Sequence, residues 1–507
     1  MMLMFVKRNR FLRSEDLLAM APFLLLLSIV AILLLVKRYS KPQKYKNYPP
    51  GPTPLPLIGS LHLVDHSKPQ NTFMKLSEKY GSVFSIQLGL DKMVVLCGYD
   101  TIKDALINHA DAFSSRPETP SIVKISKGYG VILTSGAHWK MMRKFTLSTL
   151  RDLGMGKKSI ESRIAAEAEC LIQKFASFNG KPFENPPILN AAVANIISSI
   201  ALGQRYRYDD PTIQKFIHAV AECGKGFENV MTKLYNSFPS VVGLLPGRHQ
   251  TLFENFQKME DLVKEVISNQ KQELDINDQR TIFDAFLAKQ KEEKPQSTVY
   301  FHDDNLLVLV SDLFLAGTET ISTTLRWALL LMMKYPEIQR KVHDEIDRVI
   351  GSAQPQFEHR KQMPYTHAVL HEVQRFGDII PLSIPRTTAT DVTFRGYTFP
   401  KDTVVIAVLS SVLRDKAFFA KPDEFYPENF LDSEGKFKKN EAFLPFSLGK
   451  RSCVGENLAR MELFLFFTSL LQNFTFHAPP GAEVDITPST GFTTVPLPHS
   501  MCAVARN

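Results

Sequence analysis

The segment from Phe446 to Phe467, FSLGKRSCVGENLARMELFLFF, constrains the fold most strongly. Its second half is apolar on every side at helical spacing, and a helix of that kind has to be buried. Its first half places Cys453 just before this helix, with Arg451 and two glycines nearby. A thiolate at a helix N-terminus is stabilised by free backbone N–H groups and by the helix dipole. The segment therefore predicts a core helix with a thiolate at its mouth; the alternative is a buried, inert cysteine.

The fixed positions of this segment, Phe446-x-x-Gly449-x-Arg451-x-Cys453-x-Gly455, match the haem-binding signature of the cytochrome P450 superfamily. The chain resembles the microsomal family 2 enzymes in particular, and the resemblance extends to the C-terminus. It implies a mainly α fold with small β-sheets, and a haem b (iron protoporphyrin IX) cofactor whose iron Cys453 ligates. The two glycines would let the backbone approach a flat, bulky group closely.

A second constellation, Ala316-Gly317-Thr318-Glu319-Thr320, interrupts a long apolar segment. A carboxylate and a hydroxyl inside such a helix need a reason, and back-bonding to the helix is one alternative. Gly317 is expected to weaken the helix locally and permit a bulge. The family resemblance implies that Glu319 and Thr320 act as an acid–alcohol pair for proton delivery, with Thr320 positioning water.

A third constellation is the helical pair Glu372 and Arg375, three residues apart and so on one helix face. Such a pair is most often a solvated ion pair. It also matches the family's E-x-x-R motif, which implies that it anchors the segment cradling the haem. Many relatives supply an arginine as a third partner where this chain has Asn429, so the third contact stays open.

A fourth constellation is Trp139 and Arg143, which share a helix face at i,i+4 and could grip one anionic group. The alternative is an ordinary aromatic–cation contact. By resemblance these two residues, with Arg386 and Arg451, meet the haem propionates, and arginine forks suit carboxylates well.

Leu17 to Val36 is a stretch of twenty residues without a charge. It is long enough to span roughly 30 Å of hydrocarbon at about 1.5 Å per residue. A cleavable signal peptide is the alternative, but its apolar region is usually about 7–15 residues long. We therefore expect a flank at residues 1–16 and an uncleaved transmembrane anchor at 17–36. Basic residues on both sides leave its orientation almost undecided by the positive-inside rule.

A basic and proline-rich linker at residues 37–59 is expected to join this anchor to one catalytic domain at 60–507. Its prolines make it stiff and extended. The five cysteines are widely spaced and never form C-x-x-C, which argues against disulfides and structural zinc and favours a reducing compartment. With the microsomal resemblance, this predicts a single-pass protein of the endoplasmic reticulum membrane with its domain on the cytosolic side.

Local periodicity predicts the remaining structure. A hairpin is expected within Phe84–Cys97, helices dominate Asp100–Ala288, and Asn305–Lys334 is one long apolar helix. The charged stretch Lys271–Asp304 is expected to face solvent, and Thr393–Val408 to return to β structure. The charge of +8 lacks the dense basic tracts of nucleic-acid binders, so no nucleic-acid partner is expected.

These features together predict a membrane-anchored haem-thiolate monooxygenase. By resemblance it takes electrons from NADPH through NADPH-cytochrome P450 reductase, with cytochrome b5 as an optional second donor. Its pocket would be lined by residues 116–133, the Ala316 helix, 380–384 and 490–495, mostly apolar or small, which implies a lipophilic substrate; ordinary core is the alternative for these residues. A peroxide-rearranging isomerase or dehydratase and a non-enzymatic haem sensor or transport module are the rival functions.

Overall fold

Helices form most of the chain in the computed structural model, which describes residues 47–56, 58–65, 67–155, 158–270, 280–292, 299–489, 491 and 493–506. The expected flank, anchor and most of the basic linker lie outside the described residues. The α-helices in chain order are α1 Pro69–Tyr80, α2 Tyr99–Lys103, α3 Pro120–Ser126, α4 Gly136–Asp152, α5 Lys158–Ala176, α6 Pro186–Leu202, α7 Pro211–Glu228, α8 Val230–Ser237, α9 Pro239–Val242, α10 Arg248–Gln270, α11 Ile282–Glu292, α12 Asp303–Lys334, α13 Pro336–Val349, α14 Pro364–Gly377, α15 Ser410–Leu413 and α16 Glu456–Asn473.

Short helical turns and strands connect these helices. A π-helical turn, Asp104–Asn108, continues α2, and 3₁₀ turns occur at Leu61–Leu63, Phe357–Gln362, Pro427–Phe430 and Gly449–Arg451. The strands are β1 Val83–Leu88, β2 Asp91–Leu96, β3 Arg386–Thr387, β4 Val392–Phe394, β5 Tyr397–Phe399, β6 Val404–Ala407, β7 Phe474–His477, β8 Pro488–Ser489, β9 Val495–Pro496 and β10 Cys502–Ala505.

The largest sheet has the order β1-β2-β6-β3. The predicted hairpin is confirmed: β1 and β2 are antiparallel, with Val83 opposite Leu96 and Leu88 opposite Asp91. Strand β6 adds in parallel to β2, and β3 closes the edge antiparallel to β6. The three remaining sheets of the described chain are two-stranded, which confirms the prediction of small β-sheets beside a mainly helical body.

Helix α12 runs through the centre of the helical body and packs against α6, α10, α14 and α16. It is the one helix in the described part of the chain that is long and apolar enough to cross a membrane, but most of its apolar length is buried in the core. Helix α16 is buried almost continuously from Leu458 to Leu471. Both predicted apolar helices are thus confirmed as core helices, because an element that is apolar all round has no face left for water.

The expectation of a solvent-facing stretch at Lys271–Asp304 is wrong in its middle. Helix α11 buries Phe283, Phe286 and Leu287 in the core, and only its charged end, with the Lys289–Glu292 ion pair, is exposed. The charged residues that dominated the composition flank an amphipathic helix, whose apolar stripe decides its position.

Candidate functional site

Cys453 lies in the turn between the 3₁₀ turn Gly449–Arg451 and the start of α16 at Glu456. Its backbone N–H donates to the Phe446 carbonyl at 3.0 Å, which closes a tight loop around the thiol. The residue is accessible by surface area, yet burial is the largest cause that raises the pKa of its thiol. Both observations hold when the sulfur faces a space inside the protein rather than bulk solvent.

Within the protein alone, the surroundings of Cys453 act on the pKa of its thiol in opposite directions. A hydrogen bond from the Gly455 backbone and the charge of Arg143 both lower the thiol pKa, but desolvation outweighs them. Lys450, which lies close to Cys453 in the sequence, forms an ion pair with Asp111. A metal cation at the sulfur would reverse this balance, because a coordinating thiol is deprotonated outright.

The two motif glycines have different neighbours. Gly449 has φ +74°, and a Cβ there would lie 1.9 Å from the Leu106 carbonyl oxygen. A close crossing of two backbone segments therefore requires Gly449, a constraint that the motif alone does not reveal. A Cβ at Gly455 would meet only Cys453 Sγ, at 4.0 Å, so the chain beside the sulfur stays open.

Four guanidinium groups lie together near this loop, those of Arg116, Arg143, Arg386 and Arg451. Burial, and after it the charges of Arg116, Arg386 and Arg143, lower the pKa of Arg451 to about 8. Burial and the charges of Arg386 and Arg143 lower the pKa of Arg116 to about 9. None of the four makes an ion pair with a carboxylate of the described chain. Like charges in one place repel, so this cluster needs an anion.

Two N–H donors of the arginine cluster have no hydrogen-bond partner. Arg386 donates to the Phe113 carbonyl, the Ser447 hydroxyl and the Leu448 carbonyl, and its Nε has no partner. Arg451 donates to the carbonyls of Ser114 and Thr134, and its Nη1 has no partner. Both free donors are buried among the described residues.

Within the described chain, Trp139 and Arg143 contact different groups. The guanidinium of Arg451 stacks on Trp139, with its Cζ 3.7 Å from the ring centroid. Arg143 donates to the Ser452 hydroxyl at 3.3 Å. The fold nevertheless brings Trp139, Arg143, Arg386 and Arg451 into one charge cluster around the Cys453 loop.

These residues fit the cofactor that the signature implies. A ligand with two carboxylates would neutralise a cluster of guanidinium groups and take up their unpartnered donors. The propionates of haem are such carboxylates, and an internal thiol beside an open glycine suits an axial sulfur ligand.

On α12, the polar side chains of residues 316–320 point in two directions. Ala316 is accessible although Phe314 and Thr318 beside it are buried, and the Thr320 hydroxyl donates to the Ala316 carbonyl at 2.7 Å. This is the back-bonding that the alternative interpretation expects. The predicted bulge at Gly317 is wrong, because α12 is continuously α-helical there. A Cβ at Gly317 would lie 2.4 Å from Ile197 Cδ1, so this glycine permits close packing of α6.

Glu319 turns toward a different set of residues. Its Oε1 accepts a hydrogen bond from the Thr323 hydroxyl at 3.2 Å. Burial raises the pKa of its carboxyl, while the Arg326 charge and hydrogen bonds from Thr323 and Thr493 oppose the rise. A half-buried carboxyl that favours its protonated form is suited to storing a proton.

Glu372 and Arg375 form a fully buried pair on α14, with both side chains 0% exposed. Arg375 donates to both carboxylate oxygens at 2.7 Å and to the carbonyls of Leu413, Pro422 and Glu424. The open question of the third partner is answered by Asn429, whose amide lies 3.3 Å from both Glu372 oxygens. The solvated alternative is excluded by this burial.

Residues 116–133 are tied to α12 by contacts that the sequence did not predict. The Asp312 carboxylate accepts from the backbone of Val131 at 2.7 Å and of Ile132 at 3.0 Å, and Asn305 accepts from Gly130 at 2.9 Å. Burial raises the pKa of Asp312 to about 7. In the sequence, Asp312 could have been noticed only as an acidic residue within an apolar helix. No local pattern marks Arg116, the fourth arginine of the cluster, as functional.

The other predicted pocket walls lie partly within the described residues. Residues 380–384 are half-buried, and Thr494 donates to the Ile379 carbonyl at 3.0 Å, which joins the two segments. Thr490 and Phe492 lie outside the described residues.

Comparison with known proteins places this site in a family. The sequence model of the family described as Cytochrome P450 matches residues 49–503. Cytochrome P450 2J2 of Homo sapiens is 45% identical over 486 residues, 96% of this chain and 96% of that protein. Cytochrome P450 2G1 of Oryctolagus cuniculus is 42% identical, covering 94% and 97% of the two chains. Cytochrome P450 2B4 of the same species is 42% identical, covering 95% and 99%. The chain therefore belongs to the cytochrome P450 family and is a P450 monooxygenase, an oxidoreductase whose family implies a haem cofactor, a redox partner and lipophilic substrates.

Proposed function

We propose that this protein inserts one oxygen atom from O2 into a lipophilic substrate, a xenobiotic, steroid or fatty acid, and reduces the other atom to water. Electrons come from NADPH through NADPH-cytochrome P450 reductase, with cytochrome b5 as an optional second donor. The observation that carries the proposal is the cluster of four guanidinium groups, without a carboxylate partner in the described chain, around the loop of an internal cysteine thiol.

Cys453 would hold the iron of haem b through its sulfur. Trp139, Arg143, Arg386 and Arg451 would bind and orient the propionates. The bound haem supplies the activation of dioxygen, which a thiolate ligand favours. Phe446, Gly449 and Gly455 act on the loop itself: the Phe446 carbonyl holds the Cys453 backbone, Gly449 permits the crossing at Leu106, and Gly455 donates toward the sulfur.

Glu319 and Thr320 would deliver protons. Burial favours the protonated carboxyl of Glu319. The Thr320 hydroxyl donates its hydrogen bond to the Ala316 carbonyl. Its oxygen therefore remains free as an acceptor that can hold a water at the accessible Ala316 position. Because Glu319 turns toward Thr323 and Thr493, its proton would reach Thr320 through such a water. Gly317 contributes by allowing α6 to pack closely against this part of α12.

The protein would be held in the endoplasmic reticulum membrane by residues 17–36, with its domain on the cytosolic side. The microsomal relatives and the uncharged length of this segment support that placement.

The test is turnover of the purified full-length protein with the reductase, screened against steroids, fatty acids and drug-like molecules. Products that carry one added oxygen and form only with NADPH and reductase support the proposal. Product formation without NADPH would point to the isomerase or dehydratase. NADPH consumption that no lipophilic compound increases would point to a haem sensor or transport module.

A further inference from the structure

A small cavity lies where the 3₁₀ turn Phe357–Gln362, α14 and α16 meet. It has room for about one water-sized particle. It is lined by Phe357, Arg360, His367, Leu370, His371, Gln374, Arg460, Leu463 and Phe464. Two arginines and two histidines thus border this small space.

His371 is locked in one neutral tautomer beside this cavity. Its Nε2 lies 3.0 Å from Arg460 Nη1, which can only donate, so Nε2 accepts. Its Nδ1 therefore carries the proton and donates to the His367 carbonyl at 2.8 Å. Burial, followed by the charges of His367 and Arg460, lowers the pKa of His371 well below its usual range. His371 has no acceptor left for another donor.

The donors around the cavity outnumber the acceptors. The Arg360 guanidinium lies over the Phe357 ring with its Cζ 3.9 Å from the centroid, and within the described residues this side chain makes no hydrogen bond or ion pair. Arg460 gives Nε and Nη2 to Glu456 and one Nη1 hydrogen to His371, so at least one N–H is left over. The His367 ring is stacked on Phe437, with the two centroids 3.9 Å apart, and burial and the two arginines lower its pKa to about 4. It is therefore neutral and offers one N–H donor and one acceptor nitrogen.

The acids near the cavity are already engaged. Glu456 accepts from Arg460 at 2.9 Å, and Glu358, two residues before Arg360, pairs with Lys361. The charge of Glu358 still raises the pKa of Arg360, against desolvation and the repulsion of Arg460, which lower it. The cavity therefore keeps a net positive charge and several free N–H groups, while the free acceptors among its lining side chains are the Gln374 amide oxygen and one ring nitrogen of His367.

We propose that this cavity is a binding site for one monatomic anion, chloride under physiological conditions, held by Arg360, Arg460 and the neutral imidazole of His367. A site rich in N–H donors and poor in acceptors selects an anion over water. The space has room for about one water-sized particle, which favours a monatomic anion over a carboxylate or phosphate group. Bound there, the anion would bridge the 3₁₀ turn to α14 and α16, the helices that carry the Glu372–Arg375 pair and follow Cys453.

The test uses the full-length, haem-loaded protein at constant ionic strength, with chloride replaced stepwise by gluconate, which is too large for the cavity. The readouts are the excess line width of the ³⁵Cl resonance and the thermal unfolding midpoint. Wild type is compared with Arg360→Met, with the charge-conserving Arg360→Lys, and with Lys401→Met. Lys401 is exposed on the β5–β6 turn, so its variant loses the same charge elsewhere.

We expect saturable ³⁵Cl broadening and a chloride-dependent rise in the midpoint for wild type and Lys401→Met. Arg360→Met loses a charge-assisted donor and should bind chloride about tenfold or more weakly, with Arg360→Lys between the two. In bromide-soaked crystals of wild type, an anomalous peak should lie within hydrogen-bonding distance of Arg360 and Arg460. Equal broadening in wild type and Arg360→Met, or crystals with bromide absent from this cavity, would overturn the proposal. Neither readout depends on turnover, so the monooxygenase proposal stands or fails separately.

Discussion

Replacing Glu372 by alanine should destabilise this protein far more than any exposed ion pair could. The two carboxylate oxygens of Glu372 accept both 2.7 Å bonds from Arg375, and one of them also accepts the Tyr426 backbone N–H at 2.8 Å. The variant leaves Arg375 with three carbonyl partners and no counter-charge. It also leaves the Asn429 amide without its acceptors.

The magnitude follows from this burial. Both side chains are 0% exposed, so water cannot replace the lost carboxylate. Removing one partner of a buried pair costs about 3–5 kcal/mol, a large part of a typical stability of about 5–15 kcal/mol. Because the pair joins α14 to residues 413–429, we expect the loss to appear as lower haem retention as well.

Glu358→Ala is the matched control. Glu358 and Lys361 have the same i,i+3 spacing and the same order of charges, but their side chains are 67% and 66% exposed. Surface pairs of this kind contribute little, so this variant should behave as wild type. Glu372→Gln keeps the size of the side chain and one acceptor oxygen but lacks the charge, so it should lie between the two.

The assay is urea unfolding of the haem-loaded protein, followed by far-UV circular dichroism and by haem absorbance, with the slope compared between variants. Glu372→Ala should shift the midpoint strongly at unchanged slope. If Glu372→Ala and Glu358→Ala unfold at the same midpoint and retain the same haem content, burial of the pair does not carry the stability assigned to it here.

Four further outcomes can be checked. Cys453→Ser should abolish the thiolate haem spectrum, since serine is a far poorer soft ligand; a retained red-shifted Soret band of the ferrous carbon monoxide complex would contradict the ligand assignment. Deleting residues 1–46 should leave a folded haem protein that binds lipophilic ligands, and loss of haem incorporation would show that the segment is more than an anchor. Thr320→Ala should lower product per NADPH and raise peroxide, since positioned proton transfer is worth about 10²–10⁴-fold; unchanged coupling would make Thr320 structural. Burial raises the pKa of Asp312 from 3.8 to about 7, so between these pH values the folded protein holds a proton that the unfolded chain releases. The free energy of unfolding should therefore fall as pH rises through that window, by about 1.4 kcal/mol per pH unit. Asp312→Asn should lack this slope in urea unfolding near pH 5 and near pH 7, and a slope equal to that of wild type would refute it.

The sequence by itself determined the family and the main elements, and it predicted the residues that would carry the chemistry. The signature around Cys453 is local, so its spacing is readable without a structure, and the fit of Arg386 and Arg451 to carboxylates follows from residue type. Helices α12 and α16 were predictable because a continuous apolar run leaves burial as the only outcome. The β1–β2 hairpin was predictable because alternation and a turn sit side by side in the chain.

Only the tertiary structure decided which residues meet. Asn429 becomes the third partner of Glu372 across 57 positions, and Gly449 is required because the Leu106 carbonyl lies where its Cβ would be. Trp139 stacks on Arg451, although helical spacing pairs it with Arg143. The sign of the Cys453 pKa shift also depends on the fold, because desolvation is set by the protein packed around the sulfur. Contacts and burial of this kind arise from packing between distant segments, which local pattern and residue type do not encode.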